Sequence, residues 1–152
     1  MEPTVQYPSR SVAPLLAQHQ VLRQLTDECV ACARAQPGAK MARLLELVDR
    51  LADGLEAHNR YEEQLLEPLL READVWAPER IAQMLEHHRN EHAMLVAEWR
   101  RLTRAGESLG DLATSVYGVA NSLYQHMDLE EREYLNPRLL RDDLVATEPD
   151  DS

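Results

Sequence analysis

The residues equipped for chemistry in this chain are histidines and carboxylates spaced four apart. His58 is followed by Glu62, His88 by His92 and His126 by Glu130, while His19 stands alone on an apolar stripe. Four residues turn an α-helix by about 400°, so the two groups of each pair lie within about 40° of each other, one turn apart. With each pair on the inward face of its helix, five imidazoles and two carboxylates point into one core. Burying them uncompensated costs several kcal/mol per charged group, against a stability margin of about 5 to 15 kcal/mol. Cations resolve the conflict, since two divalent ions supply enough charge for two carboxylates and a bridging oxide or hydroxide. Imidazole and carboxylate without thiolate suit iron, manganese or zinc.

The elements that must position these groups are helices. Ala, Leu, Glu, Arg and Gln dominate, Gly numbers only 5 and Phe is absent, a composition that favours helix over strand. Helix one is predicted from Pro14 to Ala35, with Val12, Leu15, His19, Leu22, Cys29 and Ala33 on its stripe and Gln36-Pro37-Gly38 ending it. Helix two runs from Ala39 to Ala73 on an unbroken alternation of three and four through Leu44, Val48, Leu51, Leu55, His58, Glu62, Leu65 and Leu69. Pro68 should kink it or end it a few residues on. Helix three opens with Pro78 in its first turn and carries Ile81, Leu85, His88, His92, Leu95, Trp99 and Leu102, with Gly106 and Gly110 closing it. Helix four starts at Asp111 as N-cap and continues through Leu112, Val116, Val119, Leu123, His126, Glu130 and Tyr134 to Asn136-Pro137. Short connections make neighbours antiparallel, so the expected fold is an all-α, up-down-up-down four-helix bundle. It forms a single domain over residues 1–145, with an acidic, disordered tail at 146–152.

Charge limits the partners. Sixteen Lys and Arg against 27 Asp and Glu give a formal balance of −11, which offers no footprint for nucleic acid or an anionic membrane. The absence of a long apolar run or an apolar leader predicts a cytoplasmic protein.

The ligand-type pattern resembles the hemerythrin and hemerythrin-like (HHE cation-binding) family, whose signature is a lone His on helix one followed by His-x-x-x-Glu, His-x-x-x-His and His-x-x-x-Glu or His-x-x-x-x-Asp. The matching segments here are His19, His58-Asn-Arg-Tyr-Glu62, His88-Arg-Asn-Glu-His92 and His126-Met-Asp-Leu-Glu130. The family's apolar-x-Pro endings are echoed at Pro68 and Pro137. The resemblance implies a non-haem centre of two iron ions with an oxo or hydroxo bridge. Glu62 and the helix-four carboxylate would bridge the irons, His88, His92 and His126 would complete one, and His19 and His58 would leave the other a vacant position. It implies a small-molecule ligand, namely dioxygen, nitric oxide, peroxide or azide, and a role in oxygen or oxidant sensing, carriage or detoxification. Two alternatives stand beside it: a diiron enzyme with catalase- or peroxidase-like activity, and a structural metal site in a helical interaction module.

The helix-four carboxylate has two candidates. Counting back from the prolines, Glu131 lies where Glu62 lies, but five residues turn a regular helix by about 500° and carry Glu131 some 140° away from His126. Glu130 is therefore preferred. Cys29-Val-Ala-Cys32 has no second half for a zinc site and reads as two small buried residues within helix one. Tyr61 and Tyr124 are candidates for outer hydrogen bonds to the cluster, with a ligand role considered for Tyr61 against the plainer reading of a partly exposed packing residue, and His87 falls off the stripe and should be solvated. Leu22, Leu55, Leu95, Trp99 and Leu123 should line the core beside the metals.

Overall fold

The computed structural model describes residues 8–35, 40–73, 77–133 and 135. Within them lie α1 (Pro8–Arg34), α2 (Met41–Ala73), α3 (Pro78–Leu102) and α4 (Leu109–Glu133). Helix α1 packs on α2 and α4, and α3 packs on the same two, the cycle of neighbours expected of an up-down-up-down bundle. The turn at Gln36-Pro37-Gly38, the end of helix four at Asn136-Pro137, Tyr134 and the acidic tail lie outside the described residues.

The apolar stripes assemble into two clusters with a polar layer between them. Along α1, Val12 and Leu15 join one cluster, His19 follows, and Leu22, Cys29 and Ala33 join the other. Along α2 the order reverses: Leu44 to Leu55 belong to the second cluster, His58 and Glu62 follow, and Leu66, Leu69 and Leu70 belong to the first. On α3, Ile81, Met84 and Leu85 come first and Leu95, Trp99 and Leu102 last, while on α4 Leu112 to Leu123 precede His126 and Glu130. This alternating order is the antiparallel arrangement written in side chains. Each fully buried leucine contributes about 1.5–3 kcal/mol, so the two clusters hold the helices in register around the polar layer.

Two boundaries differ from the expectation. Helix α1 begins at Pro8 rather than Pro14, and Pro14 sits inside it. One missing N–H removes a single hydrogen bond, while Val12 and Leu15 on either side are fully buried against α2 and α3 residues. Helix α2 passes Pro68 and ends at Ala73, as expected; Leu66, Leu69 and Leu70 are buried on both sides of the proline and carry the helix through it. Helix α4 is capped by Ser108 rather than Asp111. The Asp111 N–H donates to the Ser108 hydroxyl at 3.2 Å and the Leu112 N–H to the Ser108 carbonyl at 2.8 Å, placing Asp111 in the first turn, where its charge meets the positive end of the helix dipole. Pro78 takes the first turn of α3 after Ala77, as expected. Helix α3 ends at Leu102, and Gly106 adopts φ 62°, a conformation open to glycine, within the connection that returns the chain into α4.

Candidate metal centre

Each helix brings its polar group to the layer between the two apolar clusters. His19, His58, Glu62, His88, His92, His126 and Glu130 are all buried. Two overlapping sets emerge, in each of which one donor atom per residue lies within 4.8 Å of every other: His19, His58, Glu62 and Glu130 in one, and Glu62, His88, His92 and Glu130 in the other. The two carboxylates are common to both. His126 joins from α4, its Nε2 at 3.0 Å from Glu130 Oε1.

The donors converge closely. His58 Nε2 lies 2.9 Å from Glu62 Oε2, and His19 Nε2 lies 3.3 Å from Glu130 Oε1 and 3.7 Å from Glu62 Oε2. His88 Nε2 contacts Glu62 Oε1 and stands 2.7 Å from Glu130 Oε2. His92 Nε2 is 3.2 Å from Glu130 Oε2. The Nε2 atoms of His19 and His58 face one another at 3.1 Å. At that distance one ring can donate to the other, or both lone pairs can face a shared cation.

Outer residues fix how three of the rings are turned. The Nδ1 of His19 donates to Glu131 Oε2 at 2.9 Å, that of His58 to Gln18 Oε1 at 2.6 Å, and that of His126 to Glu91 Oε1 at 2.7 Å. With Nδ1 donating outward, each Nε2 lone pair is left facing the cluster, the arrangement in which outer hydrogen bonds orient imidazole ligands and raise their basicity. Glu131 is in turn held by Arg23 at 2.7 Å, and Arg23 also pairs with Asp128 at 2.8 Å.

The electrostatics of the protein alone show the deficit a cation would fill. Burial lowers the pKa of His19 and His88, but hydrogen bonds with Glu130 and Glu62 outweigh it and raise both to about 10. Burial likewise opposes protonation of His126, yet Glu130 raises its pKa. Burial pushes the Glu130 carboxyl up, while Glu62, His126, His19 and His88 hold it well below the usual carboxylate range. Glu62 is also lowered, by His19 and His58 against burial and the neighbouring Glu130. Positive charge is thus required next to both carboxylates. Glu62 Oε2, Glu130 Oε1 and His126 Nε2 are buried and face their neighbours at 2.9–3.3 Å without an aligned hydrogen bond. Five imidazole nitrogens and two buried carboxylates are a donor set that fits a bound cation.

All seven residues singled out from spacing come to one place. Of the two helix-four carboxylates, Glu130 enters the cluster in a regular helix, and Glu131, 31% exposed, lies behind His19. Tyr61, 38% exposed, is a partly exposed packing residue and not a ligand, and Tyr124 donates to Asp27 rather than toward the cluster. Position 61 falls off the buried stripe of α2, and position 124 meets α1 across the bundle. His87 is 74% exposed beside Glu91. Cys29 is fully buried, which pushes its thiol up to about 12 and removes it from redox or ligand chemistry. Leu22, Leu55, Leu95, Trp99 and Leu123 form part of the apolar cluster next to the centre. Gln18, Glu91 and the outer role of Glu131 were not read from the sequence. Each adjoins a cluster residue in the chain, but which of the many such neighbours meets an Nδ1 depends on helix rotation.

No curated protein and no solved structure matches the chain. Residues 10–136 match the family model described as Hemerythrin HHE cation binding domain, a span containing every member of the cluster. The chain therefore belongs to the hemerythrin HHE cation-binding family, and its clustered histidines and glutamates are the candidate cation site.

Proposed function

We propose that the cluster holds two iron ions and that the protein binds dioxygen or a related small oxidant there, for sensing, carriage or detoxification. The observation that carries this reading is the sharing of Glu62 and Glu130 between two overlapping donor sets. Counting donors, His88, His92 and His126 with both carboxylates supply five groups to one ion, and His19 and His58 with the same carboxylates supply four to the other. The lower count leaves that ion open to an outside ligand. When bound in its reduced, diferrous state, a pair of irons would supply the electrons that small oxidants accept.

The chain's own residues set the conditions. Gln18, Glu131 and Glu91 hold three imidazoles by Nδ1, so the donor atoms are positioned before any cation arrives. Leu22, Leu55, Trp99 and Leu123 exclude bulk water from one side of the site, and Leu15 and Leu66 from the other, which suits a small apolar gas and disfavours hydrated anions.

Metal analysis by mass spectrometry of protein expressed with iron and without a histidine tag tests the reading. About two irons per chain, followed by azide-induced visible bands in the ferric protein, are expected. About one zinc per chain, with no redox response, would withdraw the diiron function and leave a structural site.

A further inference from the structure

A cavity of about 520 Å³ lies between α2 and α3, on the side of His92 turned away from the cluster. Its wall carries Arg60, Arg89, Arg100, Arg101 and Arg104. That is a dense positive patch for a chain with 16 cationic residues and a formal charge of −11. Two of the five are already engaged: Arg100 pairs with Asp53 at 2.8 Å and Glu56 at 2.9 Å, and Arg60 pairs with Glu56 at 2.5 Å. Arg89, Arg101 and Arg104 have no ion-pair partner among the described residues, although acidic side chains outnumber basic ones throughout the chain.

The deep side of the cavity is polar in an unusual way. Asn59 is 4% exposed, and neither its amide nitrogen nor its amide oxygen makes a hydrogen bond. His92 Nδ1 is equally buried and unpartnered, Glu63 standing 3.8 Å away, beyond hydrogen-bond reach. Buried polar groups are almost always paired, so an amide and a ring nitrogen orphaned at one cavity mark a place where a ligand completes the hydrogen bonding. Ala93, Val96 and Ala97 supply an apolar strip along the α3 side of the same cavity. Glu63 and Glu56 are the acidic residues on its wall, and Glu56 is already bound to Arg60 and Arg100.

The geometry points to this cavity as a binding site for a small organic anion, a carboxylate or phosphate carried on an apolar body. Its charged oxygens meet Arg89, Arg101 and Arg104, its body lies along Ala93 to Ala97, and a polar atom reaches Asn59.

Titration calorimetry of the protein as isolated, with hexyl phosphate, hexanoate and inorganic phosphate as separate probes, tests the assignment. Saturable binding of one hexyl phosphate or hexanoate per chain is expected, and tighter than that of inorganic phosphate, with the better of the two organic probes naming the head group. Arg101→Glu with Arg104→Glu, both exposed positions, should weaken it by about tenfold or more. Asn59→Leu should also weaken it while leaving metal content at the wild-type level. Absence of saturable binding for both organic probes, or equal affinity in the arginine double variant, overturns the assignment. Should Asn59→Leu fail to fold, the arginine variant still decides.

Discussion

Glu130 and Glu131 are adjacent in the chain and do different work. Glu130 lies within 3.3 Å of nitrogens from His19, His88, His92 and His126, whereas Glu131 touches only the outer nitrogen of His19 and is anchored by Arg23. Removing the first deletes a donor shared by both sets, and removing the charge of the second loosens one ring. Glu130→Ala should lower metal content from about two ions per chain to one or none. Glu131→Gln should keep the stoichiometry and weaken affinity by about 10–100-fold, read by competition with a chelator. Equal loss of metal in both variants would assign the ligand role to Glu131 as well. The choice between them was legible in the sequence only as an angle: a regular helix turns position 130 toward the face of His126 and position 131 away from it.

Pattern strength decides how well each helix was legible. The interior stripes of α2 and α3 follow the three-four alternation without interruption, and every residue it selects is buried except Leu65, which is half-buried while Leu66 beside it enters the core; Leu47, Ala52, Asn59, Leu70 and Met84 widen the buried faces beyond the stripe. The ends were less so. The proline signal for a helix start was overridden at Pro14, because buried Val12 and Leu15 on its two sides outweigh one lost hydrogen bond, whereas α2 ends a few residues after Pro68 as expected. At the start of α4, Ser108 and Asp111 form a pair three apart in which the serine caps and the acid follows, so either residue alone resembles a cap. Ser108→Ala should destabilise the protein by about 1 kcal/mol, measured as a lower denaturant midpoint at unchanged slope, and Ser108→Asp should restore most of it. A larger loss from Asp111→Ala than from Ser108→Ala would move the cap to Asp111.

For the whole molecule, the polar layer makes stability depend on what fills it. Without a cation, Glu62 and Glu130 rely on neighbouring imidazoles for positive charge inside an apolar core; with one, they gain a partner that the unfolded chain does not hold in place. Removing metal by chelation should lower the melting temperature, and restoring it at about a hundredfold over its dissociation constant should return about 2.7 kcal/mol. A melting temperature indifferent to metal would mean that imidazolium alone suffices to hold the layer. The sequence by itself determined the helices, their buried faces and the seven inward groups, because helical periodicity is local and four-residue spacing needs nothing beyond the backbone. Only the tertiary structure decided that Gln18, Glu91 and Glu131 meet the outer nitrogens, that Tyr124 turns to Asp27, and that arginines from α2, α3 and the turn after it gather at one cavity. Those contacts join side chains on different helices or fix how one helix is rotated against the next, and rotation is settled by the packing of both apolar clusters at once.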